Sequence, residues 1–306
     1  MNKSSISYGD YKDVLVVTIT PRHPDRTVDV EGVKRNAVYL ADRGVNIIMP
    51  QCGTGLVYDS SLDDYRITVE ATMEAVGHRV YVIPGAGPGF GRAEETGRIA
   101  REVGVDAIMI MPVVGPASPE GLYTGMRDLV ESLDLPVVLY CKDARLMPVD
   151  STVRLARMAQ VHAIKYAVAD YDMLDTLVQK VGEEAVLLCG MAEKPAVAFM
   201  DHGAQGYSSG MANFVPKLSL GMHRAHRSGD RAEVERIHSL MVPFEDVRGE
   251  EKGKYNAAAL HVANEHIGLA GGPVLPMCTD VAESDLVRVR DLTDRLMAEE
   301  HAMGGG

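Results

Sequence analysis

Short apolar runs alternate with longer amphipathic stretches through the first two thirds of the chain. The runs cover 14–19, 45–50, 80–84, 107–112, 136–140, 162–166, 185–189 and 206–209, and each begins 21 to 35 residues after the one before. That interval accommodates one strand, one helix and two loops. The segments between carry helical periodicity. Val33, Ala37, Leu40 and Ala41 fall at i, i+4, i+7 and i+8, one stripe of an amphipathic helix. Further helices are expected over 65–76, 94–103, 121–133, 151–159 and 173–181. Gly44, Gly104 and Gly182 follow three of these helices, where C-terminal caps belong. Continuously apolar strands alternating with helices imply a parallel sheet covered on both faces. Eight such units predict an α/β fold of the closed (β/α)8 type, a TIM barrel. Helical patterning at 231–241, 255–267 and 283–298 predicts a C-terminal helical extension packed on it. The chain thus divides into a barrel over 1–220 and an extension over 221–306, with Gly304-Gly305-Gly306 expected to be disordered.

The composition fits one large enzyme-sized barrel: 306 residues, 46% hydrophobic and 24% charged. The net charge of -12 argues against a nucleic-acid surface, which needs clustered Lys and Arg. A small anionic substrate stays open, because a few local donors outweigh the global sign. No apolar run approaches the roughly 20 residues of a membrane helix. The N-terminus lacks the apolar core of a signal peptide. Cys52, Cys141, Cys189 and Cys278 are widely spaced without CxxC pairing, which reads as reduced thiols in a cytoplasmic protein.

In a barrel the chemistry gathers at the C-terminal ends of the strands. Those ends are Gln51-Cys52-Gly53-Thr54-Gly55, Pro84-Gly85-Ala86-Gly87, Tyr140-Cys141-Lys142-Asp143, Lys165-Tyr166, Cys189-Gly190 and Tyr207-Ser208-Ser209-Gly210. Lys165 is the most informative residue among them. It sits in the apolar run His162-Ala163-Ile164-Lys165-Tyr166, where burial of an ammonium is costly. A lysine at an apolar strand end can lose its proton and attack a carbonyl as a free amine. A lysine whose head escapes to solvent is the bland alternative. The Gly53-Thr54-Gly55 turn offers backbone N–H groups and a hydroxyl that can hold a carboxylate. Tyr140 offers a phenol that can move protons.

Other motifs carry less. Gly206-Tyr207-Ser208-Ser209-Gly210 matches the G-x-S-x-G elbow of hydrolases, for which Asp230 and His238 would complete a triad, but a barrel's eighth strand is the wrong context. The glycines from 85 to 91 miss the G-x-G-x-x-G spacing. His261, Glu265 and His266 do not form H-E-x-x-H, and no metal site is expected. The charged stretch 248–254 reads as a solvated loop or helix end.

Together the strand-end pieces resemble the dihydrodipicolinate synthase and N-acetylneuraminate lyase superfamily, the class I Schiff-base lyases. The likeness runs from Thr18-Ile19-Thr20-Pro21 through Gly53-Thr54-Gly55, Tyr140 and Ala163-Ile164-Lys165, to Gly203-Ala204-Gln205-Gly206-Tyr207-Ser208-Ser209, Asn213-Phe214-Val215-Pro216 and Gly272-Pro273. Within it the chain looks most like the 5-keto-4-deoxyglucarate dehydratases. Tyr140-Cys141-Lys142-Asp143-Ala144 is similar to their Y-N-R-D-N segment, and Tyr207-Ser208-Ser209 with Asn213-Phe214-Val215-Pro216 to their Y-S-S…N-F-V-P segment.

The resemblance implies Lys165 as Schiff-base lysine and Tyr140 as its proton-transfer partner. It implies that Gly53 and Thr54 bind the substrate carboxylate, and that Ser208, Ser209 and Asn213 line the distal pocket. Three departures stand out. Val113-Val114 occupy the loop where the synthases carry a second tyrosine, which points away from dihydrodipicolinate synthesis. Leu56 replaces the glutamate of the G-T-G-E turn, and Cys141 and Ala144 replace asparagines. Arg145 could grip a second carboxylate or point to solvent.

The expected activity is a cofactor-independent Schiff-base lyase acting on a small-molecule 2-oxo acid, namely a 2-keto-3-deoxy sugar acid dehydratase or aldolase. Two alternatives remain at this stage: a catalytically altered barrel serving as a sensor or scaffold, suggested by Leu56, Cys141 and Val114, and a metal-dependent aldolase. The resemblance further implies a homodimer or homotetramer, with no nucleic-acid or membrane partner.

Overall fold

In the computed structural model, which describes residues 3–303, all eight apolar runs form strands of one parallel sheet. The terminal Gly304-Gly305-Gly306 lie outside the described residues. The strands are β1 (Val14–Val17), β2 (Ile47–Met49), β3 (Tyr81–Val82), β4 (Gly85–Ala86), β5 (Ile108–Ile110), β6 (Val137–Cys141), β7 (Val161–Tyr166), β8 (Val186–Cys189) and β9 (Gly206–Ser209). Their order is β3-β2-β1-β9-β8-β7-β6-β5-β4.

β3 and β4 stand at opposite ends of that order but are consecutive in the chain. β3 lies within the third apolar run and β4 just past its end, the two separated by Ile83 and by Pro84, which has no N–H to give a ladder. The ring therefore closes through this single segment. On one side the N–H groups of Tyr81 and Ile83 donate to the carbonyls of Asn46 and Ile48, both at 2.9 Å. On the other, the carbonyls of Pro84 and Ala86 accept from Met109 at 2.9 Å and Met111 at 2.8 Å. Closure leaves no edge for another chain to pair with, and the barrel interior becomes the central core.

Eight helices cover the outside of the ring: α1 (Val30–Asp42), α2 (Leu62–Val76), α3 (Phe90–Val103), α4 (Pro119–Leu133), α5 (Val149–Ala156), α6 (Tyr171–Val181), α7 (Glu193–Asp201) and α8 (Pro216–Ser228). Several start on side-chain caps. Asp29 accepts from Gly32 N–H, Ser61 from Asp64, Ser118 from Gly121 and Asp170 from Met173. Each such cap stabilises a helix start by about 1 kcal/mol. Every one of these starts follows a strand's C-terminal end, so the caps also anchor the loops of the rim. At the other end, Gly104 closes α3 in the left-handed conformation that only glycine adopts without strain.

The chain pattern did not single out α7 or α8. Nine residues with Pro195 near the start give α7 a weak stripe, yet a proline in the first turn removes no intrahelical bond. α8 runs through residue 220 and ends at Ser228. Its buried Leu218 and Met222 join the barrel core, so the expected boundary at 220 cuts a barrel helix.

The extension consists of α9 (Arg231–Gly253), α10 (Ala258–His266) and α11 (Glu283–Ala302). Ile237, Met241, Phe244, Leu260, Val289 and Leu296 belong to the same continuous core as the strands. α9 extends beyond the expected helix, and the helical path breaks at Glu250, Glu251 and Lys252. No helix among the described residues is long and apolar enough to cross a membrane.

Candidate active site

Lys165 and Tyr140 are register partners on the adjacent strands β7 and β6. Neighbours in register share a face of the sheet. The next residue along, Tyr166, points outward, its ring 6.1 Å from Phe199 on α7. Lys165 therefore points into the barrel. Its residue surface is only 6% exposed, and Nζ lies 4.0 Å from the centroid of the Tyr140 ring. Among the described residues, no carboxylate lies within ion-pair distance of Nζ and no acceptor within hydrogen-bonding distance. Gly190, just past β8, makes room for this side chain: a Cβ there would come within 2.9 Å of Lys165 Cγ and 2.8 Å of Ala167 Cβ.

The turn after β2 lies across the same mouth. Gln51 and Leu56 bracket it, both with positive φ, at 52° and 57°. Such conformations persist only where surroundings enforce them. Gln51 Nε2 donates to Thr20 Oγ1 and Thr68 Oγ1, both at 3.1 Å, and Thr20 Oγ1 donates to the Gly55 carbonyl at 3.0 Å. Among the described residues, the N–H groups of Gly53 and Thr54 have no acceptor. Gly53 and Thr54, which carry these two free donors and a hydroxyl, both line the cavity. Tyr58, a few residues on, also lines it. Burial raises the Tyr58 phenol above its ordinary value, with smaller contributions from Tyr140 and Cys52.

β9 contributes Ser208 and Ser209. Ser208 donates to the Cys189 carbonyl at 3.3 Å. Ser209 donates to Glu193, the buried first residue of α7. Burial pushes the Glu193 carboxyl up to about 7; the like charge of Glu245 adds to this and Arg248 opposes it. Burial likewise holds the Cys141 and Cys189 thiols protonated, at about 12.

These groups enclose a cavity of about 660 Å³, within the range of small-molecule sites. Lys165, Tyr140, Gly53, Thr54, Ser208 and Ser209 all line it. Asn213 does not. Its amide donates to the carbonyls of Val17 and Gly210 at 2.9 and 2.7 Å, and its oxygen accepts from Ile19 N–H at 3.1 Å. Asn213 ties the end of β1 to the turn after β9, a task that uses both its N–H donors and one acceptor site of its oxygen.

The lining is rich in basic residues despite the acidic chain: besides Lys165 it holds Lys142, Lys194, Arg248 and Lys252, against a single carboxylate residue, Glu245. Arg248 corrects the expectation of a solvated charged stretch. It is buried and paired with Glu245, and its Nε donates to the Asn256 carbonyl at 2.9 Å. The sequence does hold a signal for this. Ile237, Met241, Phe244, Glu245 and Arg248 share one stripe of α9, so the ion pair lies on the buried face. Arg145 resolves the other way. Its side chain is 89% exposed and doubly bonded to Asp143, whose carboxyl it holds down at about 2. The hydrolase triad is not assembled: Asp230 caps α9, and His238 bonds the Lys194 carbonyl at 2.7 Å. Among the described residues, no three His, Cys, Asp or Glu side chains are placed to hold a metal.

A second hollow of about 500 Å³ lies outside the barrel between α3 and α4. Its lining contains no ionisable side chain, so it offers no acid–base chemistry.

A closed β/α ring with a buried strand-end lysine at its mouth places this chain among the barrel lyases. The sequence pattern of the dihydrodipicolinate synthetase family matches residues 10–294, and the chain belongs to that family. It is 31% identical over 292 residues to the probable 5-dehydro-4-deoxyglucarate dehydratase 2 of Streptomyces avermitilis, covering 94% of this chain and 87% of that one. It is 27% identical over 260 residues to the probable 5-dehydro-4-deoxyglucarate dehydratase of Bacillus subtilis, covering 84% of each. Among solved structures, dihydrodipicolinate synthase from Oceanobacillus iheyensis superposes with a TM-score of 0.90 at 27% identity. That match covers 95% of this chain and all of the other, 100%.

Proposed function

We propose that this enzyme dehydrates a 2-keto-3-deoxy sugar diacid through a Schiff base on Lys165. The observation that carries the reading is the unpaired, buried Lys165 amine over the Tyr140 ring, with free N–H donors opposite at Gly53 and Thr54. The relatives named as 5-dehydro-4-deoxyglucarate dehydratases favour water loss over carbon–carbon cleavage.

In this reading the Gly53 and Thr54 N–H groups hold the carboxylate next to the ketone. The Lys165 amine adds to the ketone, and water leaves to form an imine. Tyr140 moves the protons of that exchange. The protonated imine accepts the electron pair released when C3 loses a proton, giving an enamine. The enamine expels the C4 hydroxyl, which leaves as water once protonated. Hydrolysis of the imine then frees Lys165. Arg248, with Lys142, Lys194 and Lys252, offers charge for the far carboxylate. No cofactor is required by these steps.

The enzyme is assigned to the cytoplasm as a homodimer or homotetramer. Its four unpaired cysteines, three of them buried, suit a reducing compartment. Exposed Phe90 and Val114, the latter 70% exposed, border the apolar hollow between α3 and α4 and suit a subunit contact. Sedimentation equilibrium tests the oligomer.

The chemical test is borohydride reduction in the presence of pyruvate, followed by mass spectrometry. The expected result is one adduct on the Lys165 peptide that disappears in Lys165→Ala. A wild-type enzyme that traps nothing, or an adduct that survives the substitution, defeats the reading. Assaying a panel of 2-oxo sugar acids for water loss and pyruvate release separates dehydration from cleavage, and any turnover removes the sensor alternative.

A further inference from the structure

Glu193 stands directly behind the cavity wall and is fully buried. Its Oε1 accepts from the Ser209 hydroxyl, from the Ser219 hydroxyl at 3.3 Å and from the Met211 N–H at 3.3 Å. Its Oε2 has no partner among the described residues. A buried carboxylate with one oxygen unpaired is costly, whereas a neutral carboxylic acid is far less so. The titratable and charged groups facing it come from three elements: Glu245 and Arg248 on α9, Cys189 on β8 and Tyr207 on β9. Burial keeps Cys189 and Tyr207 neutral, and Glu245 and Arg248 pair with each other. No cation is left for Glu193 alone.

Ser209 has one proton to give. Its oxygen accepts from Ala212 N–H at 2.9 Å and lies 3.2 Å from Ser219 Oγ, and its proton goes to Glu193. While Glu193 is ionised, Ser209 therefore has nothing to donate into the cavity it lines. Once Glu193 is protonated on Oε1, that oxygen donates to Ser209 Oγ while still accepting from Met211 N–H, and the hydroxyl proton is released to turn toward the cavity.

We infer that Glu193 is a titrating positioning residue, whose neutral form aims the Ser209 hydroxyl at the distal end of the bound acid and whose ionised form withdraws it. This rests on the cavity being the 2-oxo acid site proposed above. Glu193 makes no bond to carbon. Its proton shifts only within the Glu193–Ser209 pair and exchanges with solvent.

The test compares wild type, Glu193→Gln and Ser209→Ala between about pH 5.5 and pH 9. A glutamine has no titrating proton, so its bonding to Ser209 is the same at every pH. In wild type, KM for the sugar diacid is expected to rise about tenfold between roughly pH 7 and pH 8.5. In Glu193→Gln that rise is expected to vanish; in Ser209→Ala KM is expected to be high and flat. A rise that persists in Glu193→Gln overturns the inference. Should the variants fold poorly, infrared difference spectroscopy of wild type decides: a protonated-carboxyl band must be present near pH 6 and fade in step with the rise in KM. Its absence overturns the inference whatever the substrate. Pyruvate trapping separates the two ideas. No adduct on wild-type Lys165 overturns the function and this inference together, whereas trapping with an unaltered pH profile in Glu193→Gln overturns this inference alone.

Discussion

The guanidinium of Arg248 lies against the α-carbon of Gly210. A Cβ at 210 would come within 2.5 Å of Nη2, 2.6 Å of Nη1 and 2.8 Å of Cζ. A residue of the C-terminal extension thus enters the barrel mouth through a gap left by a missing side chain on the loop after β9. The adjoining Ser209 and Ser208 line the same cavity. Gly210 here is a matter of space, since its φ of -94° is open to any residue.

Gly210→Ala is expected to displace Arg248 and destabilise the fold by about 1–3 kcal/mol, the usual range for overpacking. KM for a diacid should rise more than kcat falls. Denaturant titration and steady-state kinetics check both, and an unchanged KM would sink the assignment of Arg248 to the far carboxylate.

Arg248→Met leaves Glu245 buried without its partner, at a cost of roughly 3–5 kcal/mol. Adding Glu245→Leu is expected to restore stability to about the wild-type level or above, because an apolar pair replaces a desolvated ionic one. Diacid KM should stay high in both variants. Recovery of KM along with stability in the double variant would assign Arg248 a purely structural role.

Tyr140→Phe keeps the ring beneath Lys165 Nζ and removes only the hydroxyl, which has no hydrogen-bond partner among the described residues. Stability should change by no more than about 0.5 kcal/mol. Turnover should fall roughly 100- to 10,000-fold if the phenol moves protons. Full activity in this variant would remove Tyr140 from the chemistry.

Lys165→Met replaces an unpaired buried amine with an apolar side chain of similar reach. The variant is expected to be as stable as wild type or more so, since functional sites commonly trade stability for activity. It should trap no pyruvate under borohydride. A marked loss of stability in thermal melts would mean that the lysine holds the fold rather than serving the reaction.

Glu193 gives a pH dependence of stability with a definite sign. Its carboxyl moves from an ordinary value of 4.5 to about 7 in the fold. Between those values the folded protein keeps a proton that the unfolded chain has released. Stability is therefore lost as pH rises through that window and is level above it. The loss is at most about 3 kcal/mol. Relative to wild type, Glu193→Gln should gain stability by up to that amount between about pH 5 and pH 8. Parallel stability curves for the two proteins would contradict it.

The barrel was legible because its determinants are local. A strand buried on both faces has to be apolar along its length, and a covering helix has to be apolar along one stripe, so the chain carries the pattern of its own layers. The strand-end position of Lys165 and Tyr140 followed from where the apolar runs stop. α7 escaped notice because nine residues leave too short a stripe to register. The free donors of Gly53 and Thr54 could be expected from the turn, but the Gln51 and Thr20 bonds that hold it span 31 and 35 residues.

Sequence alone determined the alternation, the number of barrel units and the polar residues at their ends, since these depend on periodicities of two and 3.6 residues. Tertiary structure decided which of those polar groups are free to act. It consumed Asn213 in backbone bonds and turned Arg145 onto Asp143 in solvent. It brought Arg248 from the extension to Gly210 and set Glu193 behind Ser209. These are contacts between elements, fixed by how helices pack over a closed ring. The position of a charged residue along the chain does not reveal whether packing will leave it in water or bury it against a partner.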